Sequence, residues 1–233
     1  PRLSDILEND NGPLKLNEVE IEDLLGRDPV NFDWNGVQRT LGGKTVLITG
    51  AGGSIGSELA RQCARAGVAR LVLLERAEYP LIEVSDGIAR DYPHVDLKLM
   101  LADCGEPVSV RRAVRYQPDF VFHAAANKQV PLLEGQVREG RRNNVAASDL
   151  LATMCRADKA VDPVNVLGAS KRFAELVCQS ALAGSSTRLS IVRFGNVLDS
   201  AGSVVPLFRR QIAAGGPVTV THPEITRYFM TIP

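Results

Sequence analysis

The sequence has no excess charge of either sign, no long hydrophobic run and little cysteine. Its 27 Lys and Arg residues balance 27 Asp and Glu residues, so no net field attracts nucleic acid or an anionic membrane surface. No run of about 18 apolar residues is present and no signal peptide opens the chain, so we expect these residues not to cross a membrane. Because the chain begins with proline, we expect it to be a piece of a longer protein.

Cysteine and histidine are too few and too scattered to suggest a metal centre. There are three histidines and four cysteines, with no C-x-x-C pair, and the cysteines lie in apolar stretches. This pattern favours buried, reduced thiols over disulfides or zinc ligands for Cys63, Cys104, Cys155 and Cys178. With 233 residues, 45% of them hydrophobic, the chain can bury the core of one large domain or two small ones.

The most informative stretch is a glycine-rich turn between two apolar segments. Val46 to Thr49 predicts a strand, Gly50 to Gly56 a turn, Ser57 to Ala66 a helix, and Leu71 to Leu74 a second strand that is followed by Glu75. This strand, turn, helix and strand unit is typical of dinucleotide-binding proteins.

Each glycine of the turn has a physical role in such a site. Gly50 allows the tight turn, Gly53 allows close approach to a pyrophosphate, and Gly56 allows the helix to pack on the sheet. The helix N-terminus, with Ser54 and Ile55, would then face the phosphates with its amide groups. The spacing resembles the TGxxGxxG turn of the extended short-chain dehydrogenase/reductase superfamily.

The acid after the second strand predicts which dinucleotide is bound. Glu75 follows the last glycine at about the 20-residue spacing expected of the acid that binds the adenosine ribose hydroxyls. A carboxylate repels a 2′-phosphate, which favours NAD, whereas the adjacent Arg76 keeps NADP possible.

The remaining sequence continues the alternation of strands and helices. It predicts a helix over Ala77–Arg90, a second helix with Pro107 in its first turn that Arg111–Gln117 complete, and strands over Val95–Leu101 and Phe120–Phe122. We therefore predict an α/β fold, with a Rossmann-like, doubly wound parallel sheet within residues 41–233 and a small, incomplete C-terminal substrate lobe from about residue 196. Residues 1–40 form a predicted N-terminal arm, with a short helix over Val19–Leu25 and packing through Phe32 and Trp34.

Residues that follow the strands are candidates for cofactor contacts. Asp103 and Cys104 would lie beside the adenine, although Asp103 would serve equally well as a cap for the next helix. His123 is interpreted as a satisfied core histidine, and Asn144 would reach a backbone group and help to position a lysine. The small side chains that leave room for a ligand against the backbone are Ala124, Ala125 and Ala126. The basic cluster of Arg138, Arg141 and Arg142 indicates a solvated face or an oligomer interface.

The expected catalytic pair of the superfamily is incomplete. Lys171 is predicted to open a helix, and a tyrosine normally stands four residues before this lysine. Leu167 occupies that position, and leucine cannot accept a proton.

Several segments together resemble the bacterial UDP-N-acetylglucosamine 4,6-dehydratases of capsule, O-antigen and glycan biosynthesis. They include VEIEDLLGRDPV, TGAGGSIGSE, FHAAANKQVPLLE and VRFGNVLDSAGSVVPLF, and the resemblance extends from about Glu18 to Pro233. The most specific are DKAV, NVLGASKR and THPEITRYFM. Membrane-anchored members commonly carry methionine at the Leu167 position, so the missing tyrosine fits that subgroup.

The resemblance implies a lyase that oxidises C4 of the sugar by transferring hydride to bound NAD(P), eliminates water across C5 and C6, and returns the hydride to C6. By the family pattern, Asp158 would be the acid and Lys159 the base, while Lys171 would bind the nicotinamide ribose. For these two adjacent residues alone, a surface ion pair is the simpler interpretation.

The resemblance also implies a UDP-sugar site. Its residues are Lys128, Asn196, the turn with Ser203 and Val204, and Arg227, whose guanidinium would bind the diphosphate unless it pairs with Glu224. Family members usually have a strand ending in Ser-Thr before the Asp-Lys pair, so we expect a gap in the sequence, with residues missing, near Arg156.

The family further implies a homo-oligomer, and a cytoplasmic domain of an inner-membrane protein whose transmembrane helices would precede Pro1. Two alternatives stay open, a nucleotide-sugar epimerase on the same scaffold and a non-catalytic dinucleotide sensor. Loss of water separates the first from a dehydratase, and the Asp158 and Lys159 pair argues against the second.

Overall fold

The computed structural model describes residues 33–155, 166–182 and 185–231, apart from 186, 193, 201, 221–223, 225 and 227. The predicted helix at Val19–Leu25 and Phe32 lie outside the described residues. Trp34 is described, and it packs as predicted for the arm, because the Arg65 guanidinium lies 4.2 Å from the centre of its ring.

Four parallel strands form the central sheet, in the order β3-β2-β1-β4. They are β1 (Thr45–Thr49), β2 (Arg70–Glu75), β3 (Asp96–Leu101) and β4 (Phe120–His123). The register pairs Thr49 with Leu74 on one side and with His123 on the other. The carboxyl ends of β1, β2 and β4 therefore meet at one edge, where doubly wound sheets bind ligands.

The core has two layers, because alternate side chains of a strand point to opposite faces of the sheet. On one face, Val46, Ile48, Leu71 and Leu73 form a cluster with residues of the helices after β1 and β2. On the other face, Leu47, Val72, Leu74 and Met100 pack with residues of later helices. Burial on both faces explains the continuous apolar runs in β1 and β2, and confirms the predicted α/β fold.

Helices connect the strands and cover both faces of the sheet. The first five are α1 (Trp34–Leu41), α2 (Ser54–Arg65), α3 (Glu78–Asp91), α4 (Pro107–Val114) and α5 (Val130–Glu134). They are followed by α6 (Val137–Gly140), a π-helix (Arg141–Ala146), α7 (Ala147–Cys155), α8 (Val166–Leu182) and α9 (Val204–Ala213).

Three helices differ from the predictions, one because it was not predicted and two in their limits. Helix α1 was not predicted, although Leu41 at its end is buried in the core. Helix α4 ends at Val114, before the predicted Gln117, which has a positive φ of 51° that a helix cannot contain. Helix α8 begins at Val166, so Lys171 lies inside it and does not open it.

The described C-terminal part contains a small second sheet. Strands β5 (Asn196–Val197) and β6 (Phe229–Met230) pair in parallel. Among the described residues, no helix is long and apolar enough to cross a bilayer, and no group of His, Cys, Asp and Glu could hold a metal ion.

Candidate functional site

A cavity of about 160 Å³ opens at the carboxyl edge of the main sheet. The glycine turn after β1, the ends of β2 and β3, and the loop after β4 surround it. Its lining residues are Gly50, Gly53, Leu74, Glu75, Arg76, Ala102, Asp103, Cys104, Ala124, Ala125, Ala126, Asn127 and Asn143.

Backbone geometry requires the glycines of the turn. Gly50 has a φ of 67°, and a side chain there would lie 2.7 Å from the Ala125 backbone. A Cβ at Gly56 would overlap the Gly50 carbonyl oxygen. Gly53 is the N-cap of α2, without a side-chain cap. Ser54, Ile55 and Gly56 do not line the cavity, but they form the first turn of α2, whose amide groups favour an anion.

The carboxylate of Glu75 is held by backbone amide groups. Gly52 N–H donates to Glu75 Oε2 at 3.2 Å, while the N–H groups of Arg76 and Ala77 donate to Oε1 at 2.9 and 3.1 Å. The Arg76 side chain turns to the opposite wall of the cavity, where it donates to Asn127 Oδ1 at 3.2 Å. An anionic and a cationic residue therefore both line the cavity.

Asp103 occupies one of the two positions that the sequence left open, the one beside the cavity. It lines the cavity, and its carboxylate accepts a hydrogen bond from Gly105 N–H at 2.7 Å in the turn before α4. It is not the N-cap of α4, a position that Glu106 occupies. Cys104 is buried, and desolvation raises the pKa of its thiol to about 11, so the thiol contributes shape and not reactivity.

His123 joins β1 to α7 through both of its ring nitrogens. Nδ1 lies 2.6 Å from Thr49 Oγ1, and Nε2 lies 2.8 Å from Ser148 Oγ. Because Ser148 Oγ donates to the Asn144 carbonyl at 2.8 Å, it accepts from His123, which assigns the proton to Nε2. The residue lies at the open edge of the described sheet, but desolvation lowers its pKa to about 4. These contacts match the predicted satisfied histidine, but the residue is exposed at the edge of the described sheet, so its predicted core position was wrong.

Asn144 connects the loop after β4 with helix α8. Its side chain is only 3% exposed and belongs to the π-helix, an irregularity that is frequent at functional sites. Oδ1 accepts from Asn127 N–H at 2.8 Å, while Nδ2 donates to the Asn127 carbonyl at 3.1 Å and to Ser170 Oγ at 3.0 Å. Asn144 thus reaches a backbone group, as predicted, and bonds Ser170, the residue directly before Lys171.

Lys171 occupies an environment that disfavours its charge. Although the residue as a whole is exposed, desolvation is the largest cause of a lowered ammonium pKa. The positive charge of Lys128 lowers the pKa further, whereas Glu175 opposes both effects. The charge of Lys128 therefore acts on the Lys171 ammonium group, which indicates that the two side chains lie near each other.

The described candidates for substrate binding lie around the start of α9. Gln129 Nε2 donates to the Gly202 carbonyl at 3.5 Å in the turn before Ser203, and the preceding residue, Lys128, is exposed. Ser203 is the N-cap of α9, and its buried Oγ has no hydrogen-bond partner among the described residues. Val204 is half-buried, and Asn196 is exposed on β5. Asp158, Lys159 and Arg227 lie outside the described residues, and so does the predicted gap near Arg156.

Sequence reasoning missed four residues of the cavity wall. Leu74 and Ala102 directly precede the predicted contacts Glu75 and Asp103, so strand ends were the available signal. Asn127 follows the three alanines, while Asn143 precedes Asn144. Both asparagines are polar residues close in sequence to predicted contacts, but no local sequence pattern indicates that they line the same cavity.

Comparisons with known proteins agree with this geometry. The family model described as polysaccharide biosynthesis protein matches residues 46–233. The capsular polysaccharide biosynthesis protein CapD of Staphylococcus aureus is 44% identical to this chain, and the match covers 100% of the chain and 41% of CapD. The probable polysaccharide biosynthesis protein EpsC of Bacillus subtilis is 43% identical over 94% of the chain and 39% of its own length. The chain thus spans about two fifths of these curated relatives.

Solved structures share the fold. Pen from Bacillus thuringiensis has a TM-score of 0.74 at 28% identity, over 82% of this chain and 64% of its own. DesIV from Streptomyces venezuelae, a dTDP-glucose 4,6-dehydratase solved with NAD and TYD bound, has a TM-score of 0.69 at 18% identity, over 81% of this chain and 68% of its own. At this identity, the second likeness shows the fold alone.

Proposed function

The chain belongs to the polysaccharide biosynthesis protein family, and from this premise we propose that it is the dinucleotide-binding part of an NAD-dependent nucleotide-sugar 4,6-dehydratase. The substrate we propose is UDP-N-acetylglucosamine or a close UDP-N-acetylhexosamine, and the product is a 4-keto-6-deoxy sugar. The observation that carries the proposal is the position of Asn144, which ties the wall of the cavity to Ser170, next to Lys171. A bound dinucleotide would have to extend from the adenosine site at Glu75 to the nicotinamide site at Lys171.

The residues of the cavity fit a dinucleotide. Gly53 lines the cavity, and a Cβ there would meet only the Gly50 carbonyl oxygen, at 3.3 Å. Its open side and the amide groups at the start of α2 suit a pyrophosphate. Glu75 has the chemistry to accept hydrogen bonds from the adenosine ribose, and Lys171 would donate to the nicotinamide ribose. When bound, the dinucleotide supplies an acceptor for hydride and returns it within the same reaction.

The proposed steps balance without any further reactant. Hydride and a proton leave C4 and its hydroxyl group, which makes a ketone and acidifies the C5 proton. The proton of the C4 hydroxyl group passes to solvent. Lys159 removes the C5 proton, and Asp158 protonates the C6 hydroxyl as it leaves in water, so the two protons released equal the two taken up by the leaving hydroxyl and by C5. The returned hydride adds to C6 and a proton adds to C5. The lowered pKa of Lys171 suits a group that lies beside a developing charge.

The start of α9 supports binding of a sugar diphosphate. The buried Ser203 hydroxyl lies at the N-terminus of a ten-residue helix, and Gln129, the neighbour of Lys128 in sequence, donates to the Gly202 carbonyl in the preceding turn. A helix N-terminus, a hydroxyl and a cation together match the charge of a diphosphate. Asn196, Val204 and Arg227 complete the proposed substrate site. We further propose that the full protein is a homo-oligomer anchored by helices N-terminal to this chain.

The test uses the full-length protein, purified with its cofactor and incubated with UDP-N-acetylglucosamine in heavy water. Mass spectrometry should find a product that has lost one water and gained one deuterium, because C5 takes its final proton from solvent. The Asp158→Asn variant should lose dehydration but keep the cofactor. A product of unchanged mass with inverted C4 would instead show an epimerase, and an unchanged sugar would contradict the proposed activity on this substrate.

A further inference from the structure

We propose that Gly52 determines the preference of the site for a dinucleotide without a 2′-phosphate, because it fixes the position of the Glu75 carboxylate. The inference rests on the proposed binding of NAD. The three spaced glycines of the turn, Gly50, Gly53 and Gly56, account for the pyrophosphate and for helix packing. Gly52 is outside that pattern and has no role in it.

Hydrogen bonds give Gly52 a role in positioning the acid. Its N–H donates to Glu75 Oε2 at 3.2 Å, while Arg76 and Ala77 donate to Oε1 at 2.9 and 3.1 Å. An ionised carboxylate has about four acceptor positions, so three backbone donors leave room for a ligand hydroxyl. The two donors on Oε1 are neighbours in sequence, and the bond from Gly52 joins Glu75 to the glycine turn.

Close packing explains why this position carries glycine. A Cβ at Gly52 would overlap Pro80 Cβ and would lie 3.2 Å from Glu75 Cγ. Pro80 belongs to the first turn of α3, and its ring cannot rotate away. Gly52 does not have a positive φ, unlike Gly50. Its glycine is therefore required by the space next to Glu75, and alanine there would displace the acid or the start of α3.

Displacement of Glu75 would change the balance of charge around the adenosine ribose. Arg76 lines the same cavity and is held by Asn127 on its far wall. A carboxylate in place repels a 2′-phosphate and binds ribose hydroxyls, whereas a guanidinium attracts a phosphate. With Glu75 displaced, we expect weaker binding of NAD and unchanged or stronger binding of NADP.

The experiment measures the affinities of the full-length protein for NADH and NADPH by fluorescence titration. Relative to wild type, Gly52→Ala should lower the NADH preference by about tenfold, the size expected for one hydrogen bond to a charged group. In a Glu75→Ala background, Gly52→Ala should not change the ratio further, because its effect acts through Glu75. Gly87→Ala is the matched control, since a Cβ there meets nothing within 4 Å.

Glu75→Asp keeps the inference testable if Gly52→Ala does not fold. It preserves the charge but shortens the side chain by one methylene, so it cannot keep the bond to Gly52 N–H in the same place, and the NADH preference should again fall. An undiminished preference in Glu75→Asp, or an equal loss of both affinities in folded Gly52→Ala, would overturn the role of Gly52. A wild-type protein that binds neither dinucleotide would overturn the proposed function itself.

Discussion

The replacement Asn144→Ala tests the connection between the cavity and the helix of Lys171. The buried side chain makes three hydrogen bonds, two to the backbone of Asn127 and one to Ser170 Oγ. After truncation, Asn127 N–H keeps a second acceptor, because Asn143 Oδ1 lies 2.9 Å away. The Asn127 carbonyl loses the donor that Asn144 supplied, and the bond to Ser170 is lost.

The magnitude follows from those two losses. A buried polar group left without a partner costs about 1–3 kcal/mol, and a lost hydrogen bond about 1 kcal/mol, so we expect a destabilisation of roughly 2–4 kcal/mol. Asn143→Ala is the matched control, because Asn127 N–H then keeps Asn144 as its acceptor and Asn143 is only half-buried. For that variant we expect less than about 1 kcal/mol.

Urea unfolding of both variants, followed by circular dichroism, measures the difference. With a urea slope of about 3 kcal/mol per molar, Asn144→Ala should lower the unfolding midpoint by about 1 M, and Asn143→Ala by a small fraction of that. Equal shifts, or a larger shift for Asn143→Ala, would refute the assignment of the connection to Asn144.

Three further predictions concern the turn, the histidine and the thiols. Gly56→Ala, whose Cβ would overlap the Gly50 carbonyl oxygen, should weaken NAD binding at least about tenfold in calorimetry, and wild-type affinity would contradict this. The His123 pKa of about 4 in the folded protein lies below the ordinary 6.5, so between these pH values the unfolded chain binds a proton that the folded chain does not. The free energy of unfolding therefore falls as the pH is lowered from about 6.5 to about 4. Urea midpoints of His123→Gln should therefore decline less than those of wild type from neutral pH to about pH 5, and parallel declines would argue against it. Burial raises the pKa of Cys63 to about 12 and of Cys104 to about 11, so peptide mapping should find both unmodified by iodoacetamide in the folded protein and modified in urea; labelling of folded protein would exclude the burial.

The sequence predicted the parts of the fold that depend on neighbours in the chain. The apolar runs of β1 and β2, the spaced glycines and the amphipathic pattern of α2 are local signals, and the structure confirms the α/β sheet that they predict. Local signals failed where packing decides. Helix α1 forms against the core through Leu41, and α8 extends five residues ahead of Lys171.

By itself, the sequence predicted the type of site, because glycine spacing and one acid at the end of β2 are typical of a dinucleotide turn over about 30 residues. Only the tertiary structure decided which distant residues meet there. Strand order and register bring Gly52 to Glu75, Arg76 to Asn127, and Asn144 to both Asn127 and Ser170. Such contacts leave no periodic signal in a single sequence. The two partners of each hydrogen bond lie 16 or more residues apart, and they meet only because separate elements pack together.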